Sequence, residues 1–502
     1  MNRDAAITAI NGLNSSRRWS WQLGVALGGV LAIFLVLQCF LPLRTAVLIG
    51  ADEGFEVGKA TLLLKDCKLY TDIWNDQPPL HTFLLAEVLS HAPSTMLGPR
   101  LLTSAFAVLL LSSMFVFCWC LTGGRVATMA TLLLLASPGF FLLASSCMLE
   151  IPALGPTMPA LAMLALGNRT KWPIAEVVAG VLLGMAIEIK LISLIILPIA
   201  VLLMWTRRPQ TSAPLWSLAK SLLVLIGCMA ISTVTTDVLV CHGDYLMHFR
   251  QSWASHFGGM KSLDYGSPDD HRFDWMALIR NWDLTLPAVL GVAVSLLRVS
   301  DRPSALVPVA WIGYNLLLFG FHRPWWNYYY VHTAIPLSWC AAIGIDAVWS
   351  KASWPRQRLL CVVLGLYALC VAAWLTERMI LQIQLVRHSP QTYTCLFLNE
   401  MQRYKGQAHW LYAEEPMYSF HAGIPLVPDL AVVVAKRFWS GEMTDAQLTQ
   451  DLEKSKPELI LLKNNTQPRP FRDLLNTQYR LVYMDANYLL YVLKSIARPP
   501  GH

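Results

Sequence analysis

Residues 100–121, RLLTSAFAVLLLSSMFVFCWCL, consist of one arginine followed by a run without any further charge. An α-helix needs about 20 mostly apolar residues to cross the hydrocarbon core of a bilayer. Similar segments recur along the chain, and we count about eleven by this criterion. They are residues 21–43, 100–121, 126–144, 150–167, 173–189, 191–206, 216–240, 282–299, 305–321, 331–349 and 358–377. The sequence therefore predicts an α-helical polytopic membrane protein.

The composition of the chain supports this fold class. Of its 502 residues, 55% are hydrophobic and 14% are charged, whereas soluble domains carry about 25% charged residues. The net charge of +7 is small for this length, and the basic residues collect at the ends of apolar segments. The sequence contains no basic cluster typical of nucleic-acid binding and no Walker or Gly-x-Gly-x-x-Gly loop. It therefore does not indicate a nucleic-acid partner or a nucleotide cofactor.

The distribution of basic residues predicts the orientation of the chain in the membrane. Loops on the cytoplasmic side are enriched in Lys and Arg, and alternate loops carry Arg17 with Arg18, Arg125, and Arg207 with Arg208. This pattern predicts a cytoplasmic N-terminus, and an odd number of spans then places the C-terminus outside. Residues 44–99, residues 241–281 and everything after about residue 380 become outer segments.

The last outer segment differs in composition from the rest of the chain. Residues 380–502 have the composition of a soluble domain. Strands are predicted at residues 409–412 and 459–463, helices at 444–455 and 471–477, and a hairpin joins 479–484 to 488–494. We therefore expect a transmembrane domain over residues 1–379 and a small α/β extracytoplasmic domain over residues 380–502.

The first outer segment, residues 44–99, begins with the adjacent carboxylates Asp52 and Glu53. Neighbouring carboxylates repel each other when ionised, which raises the pKa of one of them and suits a general base. The alternative is that Asp52 caps a short helix over residues 53–66, in which Gly54 and Gly58 are unfavourable. A second short helix is predicted over residues 80–91.

The residues that follow this pair resemble a known family. The pattern of Asp-Glu, Leu-Tyr-x-Asp, Pro-Pro-Leu and Arg-Leu is similar to the first outer loop of the GT-C membrane glycosyltransferases of the protein-O-mannosyltransferase-like kind (glycosyltransferase family 39). That group includes the aminoarabinose transferases of lipid A and the galacturonosyl transferases of lipopolysaccharide core. The matching elements are Asp52-Glu53, Leu69-Tyr70-Thr71-Asp72, Pro78-Pro79-Leu80, Arg100-Leu101, His322-Arg323-Pro324-Trp325-Trp326-Asn327-Tyr328-Tyr329 and the tail from Tyr412 to Tyr491.

The resemblance implies a reaction and a place. It implies transfer of a sugar from a polyprenyl-phosphate-linked donor to a hydroxyl of a lipid, glycan or protein acceptor, typically with inversion. The reaction would take place on the extracytoplasmic face of a bacterial cytoplasmic (inner) membrane. By the same resemblance, Asp52 would be the general base and Glu53 would position the acceptor or the base.

Four basic residues are candidates for binding the donor phosphate, because fixed cations stabilise the charge that grows on this leaving group. Arg100 matches the arginine that opens the family's second span, and Arg can bind phosphate through two hydrogen bonds. His322, Arg323 and Lys190 are the other candidates. The alternatives are that Arg100 snorkels to the interface, that His322 and Arg323 anchor the chain there, and that Lys190 only neutralises Glu188.

Glu150, at the start of an apolar segment, is a candidate for an acceptor or cation site, or for a helix cap. In the loop over residues 241–281, the spacing of His242, Asp244, His248 and His256 does not match a helical metal site, which favours a solvated loop. The requirement for a divalent cation stays open. Cys67 and Cys241 are the one pair of thiols that we expect on the same outer face.

Two other classes of protein compete with the enzyme. A transporter or flippase of a polyprenyl-linked or lipid substrate would account for the apolar segments, but not for a carboxylate pair followed by Pro-Pro-Leu in an outer loop. The other class is a catalytically inactive scaffold whose outer domain binds partners.

Overall fold

The computed structural model describes residues 21–170, 174–206, 214–241, 245–254, 271–300, 302–352, 358–388, 396–465 and 469–497. Within these residues the chain is mainly α-helical. The helices of the first half are α1 (Trp21–Gln38), α2 (Glu53–Leu63), α3 (Leu80–His91), α4 (Leu97–Thr122), α5 (Gly124–Leu135), α6 (Phe140–Leu143), α7 (Glu150–Thr170), α8 (Ala175–Ile187), α9 (Leu197–Thr206) and α10 (Pro214–Cys241).

The helices of the second half include short ones near the C-terminus. They are α11 (Tyr245–His248), α12 (Met276–Arg280), α13 (Trp282–Leu297), α14 (Leu306–Phe321), α15 (Tyr330–Ala352), α16 (Arg358–Arg387), α17 (Leu396–Gln402), α18 (Met417–Ala422), α19 (Ala435–Trp439), α20 (Asp445–Ser455) and α21 (Arg472–Gln478). Short 3-10 turns lie at Leu191–Ile196, Pro303–Ala305, Asn327–Tyr329 and Pro428–Leu430, and a π-helical turn lies at Phe249–Ala254.

Several helices of the described residues could cross a membrane. Among the helices of the described residues, 6 are long and apolar enough to cross a membrane, by length and composition. Four shorter apolar helices accompany them. The longer ones are Trp21–Gln38, Leu97–Thr122, Leu215–Val240, Pro303–Phe321, Asn327–Ser350 and Gly365–Arg387. The chain is therefore a multi-pass membrane protein. Each of the predicted apolar segments contains helix, but the number of spans and the orientation stay predictions, since Arg17, Arg18, Arg207 and Arg208 lie outside the described residues.

One predicted segment, residues 126–144, is not a single helix. It is divided into α5 and α6, and Gly139 between them has a φ of 75°. Pro138 precedes this glycine. A proline cannot continue a helix and a glycine adopts the left-handed region without strain, so the two residues end α5 and allow a new turn to begin.

The C-terminal residues contain a four-stranded sheet. Its strands are β1 (Leu411–Ala413), β2 (Leu459–Lys463), β3 (Tyr479–Met484) and β4 (Tyr488–Leu493), in the order β1-β2-β4-β3. β1 and β2 are parallel, and the other pairs are antiparallel. The predicted hairpin corresponds to β3 and β4, and the predicted polar helix to α20, which Thr444 opens with a capping box.

Residues 44–99 and the C-terminal residues share one hydrophobic core. Val57 and Ala60 of α2 and Leu85 of α3 belong to the same buried cluster as Met417 and Leu426. The backbone at Met417 lies very close to α2, since a Cβ added to Gly54 would lie 2.4 Å from the backbone nitrogen of Met417. Gly54 therefore serves this close packing, although glycine weakens the helix itself.

Candidate active site

The Asp52 side chain lies at the start of α2 but does not cap it. Its backbone has φ −98° and ψ 3°, and within the described structure its carboxylate accepts no cap hydrogen bond. A capping residue normally has an extended backbone that turns its side chain toward the free N–H groups of the first turn. The capping alternative is therefore wrong, and the half-buried carboxylate faces a cavity instead.

The environment of Asp52 changes its protonation. Burial is the largest cause of a raised pKa, and the nearby carboxylates of Glu150, Glu56 and Asp76 raise it further, whereas the Lys190 ammonium lowers it. The pKa of Asp52 is raised to about 6. A carboxylate with this pKa is ionised at neutral pH and is a better proton acceptor than an ordinary aspartate.

The cavity beside Asp52 has a volume of about 440 Å³. It is formed by α2, the start of α7, residues around Tyr328 and the C-terminal residues around Lys436. Acidic, basic and aromatic side chains all face it, so a polar group and an apolar group could be held side by side. These side chains are Asp52, Glu56, Asp76, Glu150, Glu414, Lys59, Lys190, Arg323, Lys436, Lys463, His322, Phe55, Trp326, Tyr328, Tyr329 and Trp439.

Glu53 faces away from the cavity and is fully buried. Its carboxylate accepts hydrogen bonds from the Nε and Nη2 atoms of Arg100 at 3.1 and 3.0 Å. The backbone N–H groups of Ile49 and Cys147 donate to the same carboxylate at 2.7 and 2.9 Å. These bonds hold the carboxylate in place on both sides.

Arg100 is also fully buried and does not line the cavity. Its Nη1 atom donates to the carbonyl oxygens of Leu43 and Ala46, each at 2.8 Å. The guanidinium is therefore committed to Glu53 and to two carbonyls of the loop before Asp52. This geometry corrects the expectation that Arg100 binds the donor phosphate or snorkels to the interface, because its donors are used inside the protein.

Lys190 lies in the cavity, but its partner differs from the predicted one. Its Nζ atom donates to an Oε atom of Glu150, so the expected neutralisation of Glu188 by Lys190 is wrong. The same nitrogen lies 5.1 and 5.3 Å from the ring centres of Tyr328 and Tyr329. Cation, carboxylate and aromatic faces thus form one group next to Asp52.

Glu150 is almost completely buried at the first turn of α7. One of its carboxylate oxygens accepts the Lys190 hydrogen bond, and the other has no hydrogen-bond partner among the described residues. His322 and Arg323 also line the cavity and are half-buried. Burial lowers the pKa of His322, and the Lys436 charge lowers it further, so its imidazole is neutral at pH 7.

Asp76 and Lys436 are two of several cavity residues that the sequence patterns did not mark as site candidates. Lys436, in α19, donates to the Asp76 carboxylate at 3.2 Å. Burial lowers the pKa of Lys436, and Asp76 opposes that shift. Asp76 stands two residues before Pro78-Pro79, which is a local signal that could have identified it, whereas Lys436 lies in a segment without any motif.

Metal-binding side chains converge outside this cavity. In the part of the chain that the structure describes, Glu188, Asp237 and His248 place their ligand atoms within 4.8 Å of one another. None of them lines the cavity. Of the other loop residues considered from the sequence, His242, Asp244 and His256 lie outside the described residues. Cys67 is a free thiol, and the side chain of Cys241 lies outside the described residues as well.

Comparison of the chain with known proteins gives a result at the level of structure. No protein-family model and no curated protein sequence matches it. The crystal structure of ArnT from Cupriavidus metallidurans in the apo state is 15% identical, with a TM-score of 0.66 over 96% of this chain and 100% of that chain. ArnT bound to undecaprenyl phosphate is 16% identical, with a TM-score of 0.65 over 94% and 98% of the two chains.

An archaeal structure is similar over a shorter part of its length. The oligosaccharyltransferase AglB from Archaeoglobus fulgidus, in complex with an inhibitory peptide and a dolichol-phosphate, is 13% identical with a TM-score of 0.53. The match covers 88% of this chain and 70% of AglB. At these identities the likeness is one of fold, and the chain therefore has the fold of ArnT over nearly its whole length.

Proposed function

We propose that the chain is a membrane glycosyltransferase that moves a sugar from a polyprenyl-phosphate-linked donor to a hydroxyl group. The observation that carries this proposal is the position of the Asp52 carboxylate. It does not cap α2, and it faces a cavity that is also lined by Lys190, Arg323 and Lys436. The fold supports it, because ArnT with the same fold was crystallised with undecaprenyl phosphate and AglB with a dolichol-phosphate.

The proposed reaction is a single displacement with inversion at the anomeric carbon. The acceptor hydroxyl oxygen forms a bond to that carbon as its proton passes to the Asp52 carboxylate. The bond between the anomeric carbon and the phosphate oxygen breaks, and its electron pair stays on the phosphate. The products are the glycosylated acceptor and the polyprenyl phosphate.

The cations that line the cavity stabilise the negative charge that develops in this reaction. A phosphodiester becomes a phosphomonoester, so negative charge grows on the leaving group, and fixed cations stabilise it more in the transition state than in the ground state. Lys190, Arg323 and Lys436 are the proposed cations, since Arg100 is committed to Glu53. The neutral His322 supplies a hydrogen bond and no charge.

The pairing of Lys190 with Glu150 fits the same proposal. A buried ammonium needs a counter-charge in the absence of substrate, and Glu150 provides it. A phosphate that enters the cavity would share Lys190 with Glu150, and the unpaired oxygen of Glu150 then remains to accept a hydrogen bond from the acceptor. Glu150 is in this view an acceptor-orienting residue.

Sidedness and domain organisation complete the proposal. Residues 1–379 form the catalytic transmembrane part, and residues 380–502 form an extracytoplasmic part that closes the cavity through Lys436 and Trp439. The membrane is the bacterial cytoplasmic membrane, and the acceptor is a lipid, a glycan or a protein of the cell envelope.

The experiment that tests the function compares the envelope of cells that express the chain with that of cells that lack it. Mass spectrometry of the lipids and glycans is expected to show a species that is heavier by one sugar residue and depends on the chain. An unchanged envelope together with chain-dependent passage of a polyprenyl-linked lipid across the bilayer would contradict the proposal and would indicate a transporter.

A further inference from the structure

A second cluster of titratable side chains lies at one end of α8 and α10, apart from the cavity. Glu188 follows the last residue of α8, Asp237 lies in α10, and His248 ends α11. Their ligand atoms all lie within 4.8 Å of one another, and the Nδ1 atom of His248 is 2.7 Å from a carboxylate oxygen of Asp237. Glu188 is 0% exposed and His248 is 1% exposed.

Three buried polar atoms of Glu188 and His248 in this cluster have no hydrogen-bond partner among the described residues. They are both carboxylate oxygens of Glu188 and the Nε2 atom of His248. Buried polar groups are normally paired, and buried like charges repel each other. The basic residue next in sequence, Lys190, is engaged with Glu150. Within the described residues, the Glu188 carboxylate is thus left without a cationic partner.

We propose that Glu188, Asp237 and His248 bind a divalent metal ion, for which Zn²⁺ is the best fit. One imidazole nitrogen and two carboxylate oxygens are ligands that zinc accepts, with water in the fourth position. Ligand atoms about 2.1 Å from a tetrahedral ion lie about 3.4 Å apart, so small side-chain rotations would close the cluster around it. The ion supplies the positive charge that the buried Glu188 carboxylate lacks.

The ion would fix the base of the loop that carries the candidate active site. Gln251, three residues after His248, donates to the carbonyl of Tyr70 at 2.9 Å and accepts from the backbone N–H of Asn75 at 3.1 Å. The His248 ring also contacts the Tyr70 ring, with the ring centres 4.8 Å apart. The backbone carbonyl of Glu188 accepts from the N–H of Leu80 at 3.0 Å.

These contacts assign the site a structural role. The metal would hold α8, α10 and the segment from Tyr245 to Ala254 together, and these elements hold residues 70–80 beside the cavity. The inference does not depend on the reaction proposed above, because it concerns ligand chemistry and stability at a place that the cavity does not reach.

The test uses the purified full-length protein in detergent, without an affinity tag and after treatment with a chelator. Titration with Zn²⁺ is expected to give one bound ion per chain and a higher midpoint of thermal unfolding. The variants Glu188→Gln and His248→Gln are expected to bind Zn²⁺ weaker by roughly tenfold or more. The matched controls Glu87→Gln and His91→Gln alter an exposed pair 3.9 Å apart and are expected to keep full binding.

Two results would overturn the inference. One is the absence of stoichiometric Zn²⁺ binding by the wild-type protein, which would leave a proton shared between Glu188 and Asp237 as the means of holding the cluster. The other is equal binding by the wild-type protein and both variants, which would place the ion elsewhere. Since the first measurement needs only the wild-type chain, poor folding of a variant does not prevent a decision.

Discussion

The two sides of the first turn of α2 show how differently the protein treats two neighbouring carboxylates. On one side, Asp52 faces a cavity of about 440 Å³ and forms no cap hydrogen bond in the described structure. On the other side, Glu53 is fully buried and is held by Arg100 and two backbone N–H groups. The Asp52 carboxylate is available to a substrate, whereas the hydrogen bonds of the Glu53 carboxylate are made by the protein itself.

The difference follows from helix geometry. Asp52 precedes the first helical residue, Glu53, with φ −98° and ψ 3°, and successive residues of a helix are about 100° apart around its axis, so the two adjacent acids point to different environments. The two residues look equivalent in the sequence, but in the described structure Glu53 is paired with Arg100 whereas Asp52 faces the cavity. Through Arg100, Glu53 stabilises the loop that precedes Asp52.

The largest effect on stability is expected for a substitution of Glu53. Glu53→Gln leaves the buried Arg100 guanidinium without its counter-charge, and breaking such a pair costs about 3–5 kcal/mol of unfolding free energy. We expect a much lower thermal midpoint and a poor yield of folded protein in detergent. The control is Glu87→Gln, since Glu87 is exposed and should change stability little.

One result for Glu53→Gln would contradict the different roles given to Asp52 and Glu53. If Glu53→Gln folds as stably as the wild-type protein and loses only sugar transfer, Glu53 belongs to the reacting groups and not to the scaffold.

A smaller effect is expected where α2 meets the C-terminal residues. Gly54→Ala would place a methyl group 2.4 Å from the Met417 backbone nitrogen, and such overpacking costs about 1–3 kcal/mol. The matched control is Gly28→Ala in α1, where nothing lies within 4 Å. Thermal unfolding should show a lower midpoint for the first variant only. Equal midpoints would mean that the C-terminal residues do not pack on α2 as described.

The smallest effect concerns the protonation of Asp52. Its pKa is about 6, and only the ionised form accepts a proton, so the transfer rate should rise with pH through this value and then level off. Glu150 raises this pKa and Lys190 lowers it. Glu150→Gln should therefore shift the rise to lower pH and Lys190→Gln to higher pH, each by about one pH unit.

Initial rates measured between pH 4.5 and 8 on isolated membranes would separate these shifts from changes in the maximal rate. Shifts in the same direction for both variants, or no shift for either, would mean that Asp52 is not the group that titrates.

Much of the fold could be predicted from the sequence, because its elements depend on local patterns. The apolar segments, the short helices α2 and α3 and the hairpin of β3 and β4 all follow from hydrophobicity and turn residues. The break at Gly139 was missed because the hydrophobic run continues across it. The packing of Gly54 on Met417 was missed because it joins residues far apart in sequence.

The site was predictable where a motif, or a charged residue at the end of an apolar segment, marks it. Asp52, Glu150, Lys190, His322 and Arg323 line one cavity. Arg100 matches the same motif and still faces inward, since nothing in the sequence tells a phosphate ligand from the partner of Glu53. Lys436 and the group of Glu188, Asp237 and His248 depend on tertiary contacts alone.

The variant Asp52→Asn decides whether Asp52, and not Glu53, takes the acceptor proton. The variant keeps the size of the side chain and removes the charge, so transfer to the envelope acceptor should fall by about 10²–10⁴-fold while the thermal midpoint stays close to that of the wild-type protein. Transfer by Asp52→Asn within tenfold of the wild-type rate, at equal amounts of folded protein, would contradict the account.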